Sequence, residues 1–216
     1  MLFRPLLPPT VLLAEMPPAQ ADPALLHAEE LRRIERAVDK RRREFAAGRL
    51  LAHGLLEAVG ASRSPLLPDA DRVPLWPSGV VGSITHCQSL CAVAVAPASQ
   101  CSGLGLDVEP AAPMDAALLP MILRDAEFAR IAALPAALRP LGGILVFSIK
   151  EAVYKAIYPQ CRVFLDFHQV ELAFEGEDGF VADVLVAGAH PPGHARIRGR
   201  FRVAEGHVAS AVLLPL

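Results

Sequence analysis

Residues 103–110, GLGLDVEP, read as a short apolar strand that ends on two carboxylates. Side chains alternate across a strand, so Asp107 and Glu109 share one face while Leu106 and Val108 point to the other. Two like charges at the end of a buried strand repel each other and lose hydration, so they require a cation or a basic partner. Two runs of similar kind precede it, VVGSITHC (80–87) and LCAVAVAP (90–97). Each is of strand length, β-branched or alternating, and bounded by Gly, Pro or Ser.

Toward the N-terminus, residues 24–38 place Leu31, Ile34 and Val38 at helical spacing. A second helix starts at Asp39 as N-cap and lines up Phe45, Ala52, Leu55, Leu56 and Val59 before Gly60 ends it. Arg42 and Arg49 stand seven residues apart in it, two turns and therefore one face, which by itself suits a solvated charged surface. MLFRPLLPPTVLLAEM (1–16) reads as a first strand behind a Pro-rich lead-in. Pro5, Pro8 and Pro9 interrupt its apolar run and Glu15 follows, so it is not expected to be a signal peptide. ASRSPLLPDADRVPLWPSG (61–79) is a loop by its punctuation and holds the single tryptophan, Trp76.

Toward the C-terminus, a loose Ala/Pro/Leu-rich helical region covers 114–139. A helix over about 144–158 contains FSIKEAVYKAIYP (147–159) and should close at Pro159. Four segments follow, HQVELAF, FVADVLVA, ARIRGRFRV and HVASAVLL, separated by turn residues as in an antiparallel meander. Arg196, Arg198, Arg200 and Arg202 share one face of the third, suited to solvent or to an acidic partner surface. The expected architecture is α/β (α+β) in two halves, residues 1–112 and 113–216, the second ending in the meander.

A hydrophobic content of 53% with 20% charged residues indicates a globular chain, and 216 residues suffice for a substantial core. The net charge of -2 argues against a general nucleic-acid binder. No run reaches the roughly 18–20 apolar residues of a membrane helix. Cys87, Cys91, Cys101 and Cys161 are too few and too irregularly spaced for a zinc site or a disulfide framework, so buried free thiols in a cytoplasmic protein are expected.

The chemistry-bearing residues converge on phosphate. Asp107 and Glu109 suit a hard divalent ion such as Mg2+, which typically takes one or two carboxylates plus substrate phosphates. Glu151 and Lys155, at i and i+4, could add a third carboxylate and a cation. Ser83, Thr85 and His86 offer hydroxyls and an imidazole, a weak nucleophilic triad but a fitting phosphate cradle.

In order, GSITHC, GLGLDVEP and FSIKEAVYKAIYP resemble the three signature motifs of the 4'-phosphopantetheinyl transferases, the larger class that includes enterobactin-synthase component D. KRRREFAAGR, PLWPSGVVGSITHC and RGRFRVAEGHV extend the likeness to most of the chain beyond residue 40. The resemblance implies a pseudo-twofold pair of α/β halves acting as a monomer, with coenzyme A between them and an apo acyl or peptidyl carrier protein as partner. It implies that Asp107, Glu109 and Glu151 bind Mg2+ (or Mn2+), with Glu151 also the base toward the carrier serine. It places Lys155 on the pyrophosphate, His86 and Thr85 on the 3'-phosphate, and Arg42, Arg49 and Arg72 near the nucleotide phosphates. Phe147 stands where the family often has Trp, and Thr85 where Ser is common. Two other functions stay open: a metal-dependent phosphodiesterase or nuclease using the same acids and lysine, and a carrier-binding relative without chemistry. Lys150, about 100° around the helix from Glu151, could face coenzyme A, the carrier or water.

Overall fold

The computed structural model describes residues 1–62 and 64–216. Strands β1 (Leu12–Met16), β2 (Val80–His86) and β3 (Cys91–Pro97) form an antiparallel sheet of order β1-β3-β2. Covered on both faces, the central β3 is buried from Cys91 to Ala96, which explains its unbroken apolar run. Helix α2 (Asp39–Ala58) packs Phe45, Ala46, Ala47 and Ala52 toward this sheet. It is preceded by α1 (Ala28–Arg33), much shorter than residues 24–38: Pro23 starts a separate 3-10 turn, and Ile34 leaves helical geometry.

Strands β4 (Gly103–Pro110), β5 (Val170–Glu175), β6 (Gly179–Val184), β7 (Arg196–Ala204) and β8 (His207–Leu214) form a second antiparallel sheet, ordered β4-β8-β7-β6-β5. The meander β5 to β8 follows the sequence. β4 pairs along its length with β8, Asp107 opposite Ser210, so the chain changes sheet between Pro97 and Gly103. The outer edge of β4 faces β2, where the Ser83 hydroxyl accepts the Leu106 N–H and the Thr85 hydroxyl accepts the Val108 N–H, both at 3.0 Å. Two side chains thus satisfy edge amides that would otherwise be buried unpaired.

The 114–139 region breaks into α3 (Leu119–Ile122) and α4 (Asp125–Ala132), because Pro120 and Pro135 only suit helix starts and turns. Helix α5 (Gly142–Cys161) covers the second sheet and runs past Pro159. A proline so near the C-terminus removes one hydrogen bond, that to the Lys155 carbonyl, and the helix ends instead where Arg162 turns left-handed (φ 56°). Three of the four free cysteines are buried, and burial pushes the Cys91 thiol up to about 12. The arginine row of β7 is largely committed within its sheet: Arg196 pairs with Asp183, Arg198 with Glu175 and Arg200 with Asp178. Among the described residues, no helix is long and apolar enough to cross a membrane.

Candidate active site

The site exists because α5 lies directly on β4. A Cβ on Gly105 would sit 1.9 Å from the Ala152 carbonyl oxygen, and one on Gly103 would sit 2.5 Å from that of Ala156. Strand alternation puts Gly103, Gly105, Asp107 and Glu109 on this face, while Leu104, Leu106 and Val108 fill the core on the other side. Two glycines therefore seat the helix, and the next two residues of the same row deliver carboxylates beside Glu151 and Lys155.

Lys155 Nζ donates to Asp107 Oδ1 at 2.6 Å. The Thr85 hydroxyl, only 2% exposed, stands 3.4 Å from the same oxygen and already accepts from Val108. The other oxygen, Asp107 Oδ2, is buried without a hydrogen-bond partner. Burial raises the Glu109 carboxyl to about 7, helped by the charges of Asp107 and Glu151, and Lys155 only partly offsets this. The Glu151 carboxyl is raised as well, again mainly by burial and then by Asp107, against Lys155. Three carboxylates facing one ammonium leave surplus negative charge that favours a further cation.

Beside these acids opens a cleft of about 650 Å³, walled by α2, the loop 68–76 and the C-terminal end of α5. Arg33, Arg41, Arg49, Arg72, His86 and Lys155 line it. Trp76, Tyr154 and Tyr158 add aromatic surface, and the Trp76 ring lies so close to Gly82 that a Cβ there would be 2.6 Å from it. Arg49 is held by its Nε donating to the Leu66 carbonyl at 2.7 Å and by stacking over Phe45, and burial lowers its guanidinium to about 10. Arg41 donates to His86 Nε2 at 2.9 Å. Arginine offers no lone pair, so that nitrogen is the acceptor and the imidazole proton sits on Nδ1, facing Glu44 at 3.8 Å. Burial lowers the His86 pKa, against the pull of Glu44, which agrees with a neutral ring.

Of the residues expected from the sequence, the structure gathers Asp107, Glu109, Glu151, Lys155, Thr85 and His86 at one end of the cleft and sets Arg49 and Arg72 along its walls. Arg42 is not on the wall; Arg41 is. Adjacent helix residues differ by 100°, so a one-residue offset turns the side chain away. Arg41, Glu44, Phe45 and Gly48 recur at helical spacing on the cleft side, a pattern that could have selected Arg41.

Two family models cover the chain: the 4'-phosphopantetheinyl transferase N-terminal domain matches residues 28–96, and the 4'-phosphopantetheinyl transferase superfamily matches residues 103–207. The 4'-phosphopantetheinyl transferase Svp of Streptomyces mobaraensis is 42% identical over 200 residues, 90% of this chain and 81% of that protein. This chain belongs to the 4'-phosphopantetheinyl transferases. PptT of Mycobacterium tuberculosis is 34% identical over 86% of this chain and 85% of its own length. Enterobactin synthase component D of Salmonella typhi is 39% identical over 57% and 51%.

As a 4'-phosphopantetheinyl transferase the chain is an enzyme that passes a phosphopantetheine group to carrier proteins. Its third motif divides into two environments. Lys155 lines the cleft and Glu151 lies in electrostatic reach of Lys155 and Asp107, whereas Lys150 is 2% exposed and donates to Glu127 at 2.8 Å, to the Ile122 carbonyl at 2.8 Å and to the Phe167 carbonyl at 2.9 Å. All three of its protons are used, so it faces neither ligand nor water. Phe147 keeps a large ring in the motif, packed 5.5 Å from Phe167. Among the described residues, no three His, Cys, Asp or Glu side chains are already gathered into a metal cage. The donor set nevertheless fits a hard ion that shares its shell with phosphate: one carboxylate oxygen lacks a partner, and two neighbouring carboxyls are raised by burial and by the negative charges around them.

Proposed function

We propose that coenzyme A is the donor, that its nucleotide and pyrophosphate occupy the basic cleft, and that the acceptor is a serine of an apo acyl or peptidyl carrier protein. The observation that carries this is the unpartnered Asp107 Oδ2, set beside Glu109 and Glu151 at the end of an arginine-lined cleft. Asp107, Glu109 and Glu151 would hold Mg2+ (or Mn2+), which when bound supplies positive charge against the pyrophosphate. Lys155 stands where it can neutralise the 3',5'-ADP that departs as the pyrophosphate bond breaks. Glu151, made more basic by burial and by Asp107, takes the proton from the serine hydroxyl as its oxygen bonds to phosphorus. Arg41, Arg49, Arg72 and His86 bind nucleotide phosphates. Thr85 acts through Asp107 and β4, its hydroxyl being already engaged.

Both acid-bearing elements come from one chain, which supports action as a monomer. We place the enzyme in the cytoplasm, where coenzyme A and carriers meet, and the names of the component D relatives favour a nonribosomal-peptide or siderophore carrier. Incubation with coenzyme A, Mg2+ and a panel of apo carriers should add one phosphopantetheine mass to at least one carrier, and chelation should stop it. No mass gain on any carrier would defeat the proposal. Thermal stabilisation by coenzyme A but not by an oligonucleotide would separate it from nuclease chemistry.

A further inference from the structure

Loop 67–76 is a small self-bonded tongue that forms one wall of the cleft. Leu75 N–H donates to the Leu67 carbonyl and Asp69 N–H to the Val73 carbonyl, each at 2.9 Å, while Asp69 Oδ1 accepts the N–H groups of Asp71 and Val73. Its base is fixed. Next to it the Leu66 N–H donates to buried Glu30 at 2.8 Å, the Leu66 carbonyl accepts from Arg49, and at the other end Trp76 rests on Gly82.

Its tip reaches α5 through Arg162, which donates to Asp69 Oδ2 at 2.5 Å and to Asp71 Oδ2 at 3.5 Å, with the guanidinium 5.7 Å from the Tyr158 ring. Among the described residues three non-glycines have positive φ, and two of them belong to this region: Arg162 itself (φ 56°) and Arg72 beside its partners (φ 68°). Glycine would adopt either conformation at lower cost, and strain of this kind gathers at ligand clamps. The clasp is partly exposed, with Arg162 at 43%, Asp71 at 54% and Asp69 at 19%, so water screens it and its hold on the tip is modest.

We propose that Arg162 is a positioning residue: by clasping Asp69 and Asp71 it holds the tongue that presents Arg72 and Trp76 to the cleft, and so sets the affinity for the phosphopantetheine donor without touching it. This rests on the cleft being the coenzyme A site. The clasp spans the two halves of the chain, from the N-terminal loop to the end of α5, so closure over the donor would draw them together.

The test compares Arg162→Gln and Arg162→Lys with the parent enzyme. Arg162→Gln should raise the KM for coenzyme A about threefold to tenfold with kcat within twofold and the carrier KM unchanged, and Arg162→Lys should recover part of the loss. Hydrogen exchange without any ligand should speed up at the Asp71, Val73 and Leu75 amides in Arg162→Gln. The double variant Asp69→Asn/Asp71→Asn, which removes the clasp from the loop side, should reproduce both effects if Arg162→Gln folds poorly. An unchanged coenzyme A KM, or a fall in kcat alone, overturns the positioning role, and unchanged exchange at the tongue overturns the clasp itself. If the parent enzyme does not use coenzyme A, the proposed donor fails while the exchange measurement still decides the clasp.

Discussion

Helix α5 carries two lysines, each paired with a carboxylate from another element, in opposite surroundings. Lys150 and Glu127 lie 2.8 Å apart with side chains 2% and 1% exposed, and every donor and acceptor is used: Glu127 also accepts from the Arg124 and Leu172 amides. Lys155 and Asp107 lie 2.6 Å apart with the lysine 29% exposed, one carboxylate oxygen unpartnered and two further acids beside them. The satisfied pair ties α5 to α4 and β5 and is finished. The other pair keeps unspent bonding capacity on Asp107 beside a partly exposed lysine, the kind of unsatisfied polar cluster that suits chemistry better than folding.

Lys150→Met should cost about 3–5 kcal/mol in urea unfolding because Glu127 is left buried and uncompensated, and replacing both residues with apolar side chains of like volume should regain most of it. Transfer activity should follow the folded fraction; a stable Lys150→Met enzyme with no activity would make that pair functional after all. On the other side, Glu151→Gln should lower kcat about 100- to 1,000-fold with little change in stability, read by steady-state transfer assays against unfolding curves. Normal turnover would remove Glu151 from the chemistry.

Gly105→Ala should disturb the open pair and spare the closed one. The added Cβ meets the Ala152 carbonyl at 1.9 Å, so α5 must lift from β4, costing about 2–3 kcal/mol by calorimetry and a larger share of activity than stability alone explains. The smallest expected effect concerns pH. In metal-free enzyme Glu109 titrates near 7 in the folded state against 4.5 in the open chain, facing Asp107, Glu151 and Lys155. Between these values the folded state binds more protons, so this contribution to stability is full below about 4.5 and declines as pH rises to about 7. Thermal scans should show a fall of a few degrees over that window, flattened by Glu109→Gln or by saturating Mg2+.

Much of this was legible in the sequence. The second-sheet meander, α2, the position of α5 and the acids Asp107, Glu109 and Glu151 all follow from periodicity, turn residues and motif order, each set by neighbours in the chain. The glycines of GLGL were equally visible and, aligned with Asp107 and Glu109 at period two, announce a helix seated on that strand. The pairing of β4 with β8 was not, because any apolar strand edge can accept several partners. The cleft-facing side of α2 was legible only in part: Arg41 shares helical spacing with Glu44, Phe45 and Gly48, but which row turns to the cleft depends on how the apolar face settles on the first sheet.

By itself the sequence determined which side chains could do chemistry and on which local elements they sit, because alternation and helical spacing are fixed by backbone geometry over a few residues. Where each of them points was settled by tertiary packing. It sent Lys150 inward to Glu127 and Lys155 outward to Asp107, five residues apart on one helix, because burial and hydrogen-bond satisfaction are properties of what packs against a residue and not of the residue itself.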